Sequence, residues 1–125
     1  PQLDNKVFYF CPWGKLFNSK KIMDFSRLHS RTWNVVCEAI LFGIYAGYTD
    51  IRLFGCDYSV FATNAHFYDL KQSHDPLGVM LFKYSFTTQV HYEIAKFAKQ
   101  KGVQITNMTK DTLLDAYYID YDNGF

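Results

Sequence analysis

The sequence predicts an α/β domain, a parallel sheet with flanking helices in the order β-α-β-α-β-α, as in an incomplete doubly wound domain. Short apolar runs of strand length alternate with longer stretches of helical period, which implies parallel strands joined by right-handed crossovers. The connections are strongly unequal. Those from helix to strand are tiny, Gly47–Asp50 and Gly102 alone. Those after the first two strands run to about twenty residues, against a usual ~4–6. Of the 125 residues, 49% are hydrophobic and 20% charged, a composition that builds a packed core and excludes disorder.

Lys6–Phe10 is an apolar, aromatic run of strand type, ended by Pro12 and Gly14. Ser30-Arg31-Thr32 supplies helix-start chemistry, since the Ser30 and Thr32 hydroxyls can take free backbone N–H groups. From Trp33 through Val36, Cys37, Ile40, Leu41, Ile44 and Tyr45 the apolar residues keep helical spacing, and Gly47 is the natural stop. Ile51–Gly55 forms the second strand. Asp75-Pro76 then opens a long helix whose stripe of Leu77, Met80, Leu81, Tyr84, Thr88, His91, Ile94 and Ala98 ends at Gly102. Its length predicts a bend near Ser85–Thr88. Val103–Met108 is the third strand, and Thr109 caps a last helix through Tyr118.

Thirteen basic against twelve acidic residues leave a net charge of +1, so no single-sign field points to nucleic acid. Three cysteines without C-x-x-C spacing fit a reducing compartment rather than a disulfide framework or a zinc site. No apolar run reaches the ~18 residues of a membrane span, so a cytoplasmic location with at most peripheral membrane association is expected. Aromatic residues reach 19%, with ten Tyr whose hydroxyls need partners, and some of these are expected to line a polar cleft. The chain starts at Pro1, so an upstream segment is expected to be missing.

Both long loops leave the C-terminal ends of strands, where open α/β sheets place their ligands. Asp57, just after the second strand, can bind a sugar hydroxyl, orient a base, hold a metal or merely organise its loop. His66, in the loop beyond, can take a proton near neutral pH as a general base, or pack between Phe67 and Tyr68. His66, Asp69 and His74 match no recognised metal pattern, and His91 reads as a satisfied core residue. At the first helix start, Arg31 can fork onto phosphate oxygens beside free N–H groups, with Thr32 and Asn34 as further nucleotide contacts. His29 beside it is at best a phosphate contact. Tyr58, Ser59 and Tyr68 add hydroxyls for the same anion. Cys11 and Cys56 read as small buried hydrophobes rather than nucleophiles. Neither G-x-x-x-x-G-K-[ST] nor G-x-G-x-x-G is present.

The run Gly47-Tyr48-Thr49-Asp50-Ile51-Arg52-Leu53-Phe54-Gly55-Cys56-Asp57, followed by His66-Phe67-Tyr68, resembles a "G-[FY]-x-x-I-x-L-x-G-x-D … H-[FY]" signature. Two related families share it: bacterial lipo-oligosaccharide sialyltransferases, and a family that includes motility accessory factor glycosyltransferases and archaeal pterin diphosphokinase-like proteins. The similarity covers about Ser30 to Tyr118. It implies a Rossmann-like glycosyltransferase fold, with residues 1–125 a single α/β domain forming its C-terminal part. It also implies metal-independent transfer of a sugar from a cytidine nucleotide to an acceptor hydroxyl in bacterial surface glycan (lipopolysaccharide) synthesis. His66 would be the base, Asp57 would orient the sugar, and Arg31, Tyr58 and the first helix start would meet phosphate. The family arginine matches Arg31 with a one-residue shift, and the first family tyrosine falls on Ser59. The family has two histidines four apart, whereas Leu70 stands four after His66. The Gly-rich nucleotide contact of both families is absent from this sequence. The implied partners are the nucleotide-sugar donor and the glycan acceptor, with a homo-oligomer left open and no cofactor. The alternatives are a phosphotransferase using Mg²⁺ on Asp57 and Asp69, and a nucleotide-binding domain without chemistry.

Overall fold

The computed structural model describes residues 12–20, 25, 29–59 and 76–124. Their order is β1 (Pro12–Leu16), β2 (His29–Arg31), α1 (Val35–Tyr45), β3 (Asp50–Leu53), α2 (Leu77–Gln100), β4 (Gln104–Asn107) and β5 (Tyr118–Ile119). β1 and β2 pair as a two-stranded parallel ribbon. β3, β4 and β5 form a second, three-stranded parallel sheet in that order. The register runs Asp50↔Gln104 to Leu53↔Asn107, then Thr106↔Tyr118 and Asn107↔Ile119. A mixed α/β architecture with parallel strands is therefore present.

Several boundaries differ from expectation. The strand expected at Lys6–Phe10 lies outside the described residues. β1 instead includes Pro12 and Gly14, residues that by type mark a strand's end; proline is tolerated at the first residue of a strand. Ser30 and Arg31 belong to β2, and α1 begins only at Val35. The cap is Asn34, whose Oδ1 accepts from the Val36 N–H at 2.8 Å and the Cys37 N–H at 3.4 Å. Trp33 makes the corner before it with φ +59, a left-handed conformation that is uncommon for a bulky side chain. Its ring packs on Phe86 of α2 at 4.8 Å between centroids.

The two glycine stops are where the sequence puts them. Gly47 and Gly102 both have positive φ, and the Tyr48 and Val103 N–H groups bond back to the Gly43 and Ala98 carbonyls. α2 runs unbroken from Leu77 to Gln100, through the stretch where a bend is predicted. There the Thr87 and Thr88 hydroxyls donate to the Lys83 and Tyr84 carbonyls, so both hydroxyls are satisfied within the helix. Pro76 is its N-cap without a side-chain cap bond, and Asp75 lies outside the described residues.

The last predicted helix does not form. Residues 108–117 are irregular, and β5 follows. Side chains take the local N–H groups instead: Asn107 Oδ1 accepts from Thr109 N–H at 3.1 Å, and Thr112 Oγ1 accepts from Leu114 N–H at 3.0 Å. Such local bonds compete directly with helix formation.

The core lies between the helices and the three-stranded sheet. Cys37, Ile40 and Leu41 of α1 meet Val90, Ile94, Phe97 and Ala98 of α2, with Leu53, Ile105, Leu114 and Tyr117 from the sheet side. Phe17 joins this core edge-on to Phe97 at 5.6 Å. The segment after β1 is fastened there, since the Ser19 N–H and hydroxyl both donate to Glu93 Oε2, at 2.8 and 2.7 Å. Among the described residues, no helix is long and apolar enough to cross a membrane.

Candidate functional site

At the C-terminal edge of the three-stranded sheet, the chain leaves β3 and is gripped from one side by the segment after β4. The Met108 N–H bonds to the Leu53 carbonyl at 2.8 Å, and Gly55 (φ +68) turns the chain. The Cys56 N–H donates to Thr109 Oγ1 at 3.0 Å. The Cys56 carbonyl accepts from Asn107 Nδ2 at 3.1 Å and from the Thr112 hydroxyl at 2.7 Å. The Asp57 carbonyl accepts from the Leu113 N–H at 2.8 Å. Asn107 is fully buried and uses both ends of its amide, so this edge is braced from within.

Asp57 follows and is exposed, with its Oδ2 accepting from the Ser59 hydroxyl at 2.7 Å. Between them Tyr58 has φ +59. This turn sends the tyrosine inward: its hydroxyl is 3.2 Å from Thr88 Oγ1, and the Tyr84 hydroxyl donates to the Tyr58 carbonyl at 2.8 Å. The Tyr58 ring sits 4.6 Å from Tyr84 and edge-on to His91 at 5.5 Å.

Below Tyr58 lies a buried polar cluster. His91 Nδ1 is 2.9 Å from the Tyr117 hydroxyl, and His91 Nε2 is 3.4 Å from Cys37 Sγ. Burial pushes the His91 pKa down to about 4, so the ring is neutral at pH 7. Burial also pushes the Tyr117 hydroxyl up, and burial followed by the Glu38 charge pushes the Cys37 thiol up. All three are uncharged. The cluster matches the reading of His91 as a satisfied core residue. The Cys56 thiol is raised by burial and by Asp57, which opposes thiolate chemistry there.

Asp57, Tyr58 and Ser59 are thus consecutive on one edge, but Tyr58 points its hydroxyl into the protein. Thr32 is buried, and its hydroxyl donates to Glu38 Oε1 at 2.6 Å. Asn34 serves the helix, and the Val36 and Cys37 N–H groups that an anion would use are bonded to it. Arg31 ends β2, and its side chain lies outside the described structure, as do His66, Tyr68, Asp69 and His74. Among the described residues, no group of three or more His, Cys, Asp or Glu is arranged to hold a metal.

Sequence reasoning did not single out Asn107 and Thr112, and it reads Thr109 as a helix cap rather than as a brace of the β3 exit. Their signal is the run Asn-Met-Thr-Lys-Asp-Thr straight after a strand, where short polar side chains tend to bond local backbone. Comparisons of the chain with protein-family models, with curated proteins and with solved structures find no match.

Proposed function

We propose that this chain is part of a glycosyltransferase-like catalytic domain, similar to the bacterial sialyltransferase and motility accessory factor group. It transfers a sugar from a cytidine nucleotide to an acceptor hydroxyl in surface glycan synthesis. The observation that carries the reading is an exposed carboxylate, Asp57, steadied by Ser59 on a braced C-terminal edge of a parallel sheet. That edge is where such sheets bind nucleotides and their conjugates.

In this reading Asp57 accepts hydrogen bonds from donor sugar hydroxyls and orients the ring. His66 takes the acceptor's proton as its oxygen bonds to the anomeric carbon. The bond from that carbon to the nucleotide phosphate breaks, and the electron pair leaves with the phosphate. Arg31 and Tyr68 steady the departing charge. Tyr58 contributes from beneath, since its hydroxyl is bonded within the protein.

The test is a thermal-shift screen of the chain against CMP, CDP, UDP, GDP and ATP, with and without Mg²⁺. A cytidine nucleotide at about ten times its Kd should add roughly 1.4 kcal/mol of stability. With a cytidine nucleotide-sugar in place of CMP, Asp57→Asn should remove the extra stabilisation that the sugar adds, and leave that of CMP largely unchanged. With donor and acceptor present, His66→Ala should cost about 10²–10⁴-fold in turnover, while Cys56→Ser costs little. Stabilisation by ATP only with Mg²⁺, and none by CMP, would replace this reading with phosphoryl transfer.

A further inference from the structure

We propose that a cleft at the opposite edge of the sheet is a second binding site, which takes a neutral, pyranose-sized ring bearing several hydroxyls. The proposal does not depend on sugar transfer at Asp57. The cleft has a volume of about 530 Å³ and lies where the last turns of α1 and α2 meet the residues leading into β3 and β4. Small-molecule pockets span about 300–1,000 Å³.

Among the described residues, the rings of Tyr45, Tyr48 and Phe97 line it. Tyr45 is 47% and Tyr48 63% exposed, so much of their apolar ring surface faces water. A flat C–H face of a sugar ring would cover that surface, and the tyrosine hydroxyls would stay available at the edge. The Thr49 hydroxyl and the Gln100 amide also line the cleft. Among the described residues, none of these four polar side chains makes a hydrogen bond with the protein. Each can donate and accept, as a sugar hydroxyl can.

The electrostatics select a neutral ligand. Both helices end here, and their last carbonyls carry partial negative charge. The Lys101 ammonium, 5.7 Å from the Phe97 ring centroid, offsets that charge. Among the described residues, none of those lining the cleft is a carboxylate. An anion would face the carbonyl ends and a cation would face Lys101, whereas an uncharged polyol meets both kinds of partner.

The test is NMR titration of the full chain with glucose, galactose, mannose and glucuronate. At least one neutral hexose should bind with Kd on the order of 1 mM, with shifts centred on Tyr45, Tyr48 and Gln100. Tyr48→Ala should weaken that binding about fivefold or more, and Tyr45→Ala should do likewise. Tyr48 is largely exposed, so an unchanged melting temperature should accompany the loss in Tyr48→Ala, whereas Tyr45 also packs on Phe25 at 5.4 Å between ring centroids and its variant is read by binding alone. The proposal is overturned if no hexose binds up to about 50 mM. It is equally overturned if glucuronate binds more tightly than glucose, if Tyr48→Ala binds as well as the parent, or if the shifts centre on Asp57. The last outcome would leave the nucleotide-sugar reading standing while removing this one.

Discussion

His91 is fully buried and neutral, with Tyr117, Cys37 and Tyr58 packed around it and no charge among them. Its pKa falls from 6.5 to about 4 on folding. The unfolded chain therefore binds a proton at a pH where the native state does not. Stability is present in full above pH 6.5 and is lost as pH falls from there toward 4, in total by about 3 kcal/mol. Urea midpoints between pH 7 and 5, above most carboxylate titration, should drop for the parent. His91→Gln, which keeps a partner for Tyr117, should flatten that slope; an equally steep profile in the variant would exonerate the histidine. The core role of His91 was legible from its place on an apolar stripe. The inward turn of Tyr58 was not, because nothing in the order of residues announces a left-handed tyrosine. Its inward position depends on Thr88 and Tyr84, which lie 30 and 26 residues away.

Helix ends show what pattern alone can locate. Glycines at Gly47 and Gly102 mark true stops because a positive φ is required there and glycine supplies it without strain. The start of α1 was less legible. Ser30, Thr32 and Asn34 all have capping chemistry, and pairing of β2 with β1 takes the first of them into a strand. Asn34→Ala should therefore lower stability by about 1 kcal/mol in a urea melt, whereas Ser30→Ala should change it by a few tenths at most. The predicted helix after Thr109 failed for a related reason. The expectation rests on Thr109 as a cap, while Asn107 and Thr112 have claims on the same backbone. The long second helix was legible almost to the residue at its C-terminus, but its Thr87 and Thr88 hydroxyls satisfied themselves without breaking it.

Among the described residues, the chain from Phe17 to Ser19 is fastened through the buried Phe17 ring against Phe97 and through the carboxylate of Glu93. Glu93 also accepts from Lys96 at 2.7 Å, and its pKa is drawn down to about 2 by Lys96 first and then by the two Ser19 donors. A depressed carboxyl pKa contributes stability above the unfolded value near 4.5 and loses it as pH falls toward 2. Glu93→Ala should release this anchor: hydrogen exchange at Ser19 should quicken about tenfold, with the helix core of Ile94 little changed. Equal quickening at both places would show that the clamp supports the whole fold rather than one flank. The alternation of strands and helices made the parallel three-stranded sheet legible in outline. The two-stranded ribbon was not, because β1 carries the Pro and Gly that usually end a strand, and β2 is only three residues long.

The double grip on the Cys56 carbonyl has a consequence for recognition. With Asn107 and Thr112 already committed to that oxygen, the backbone leading to Asp57 has little freedom left to lose. A molecule arriving at this carboxylate meets a shape set in advance, so less of its binding free energy is spent on ordering the receptor.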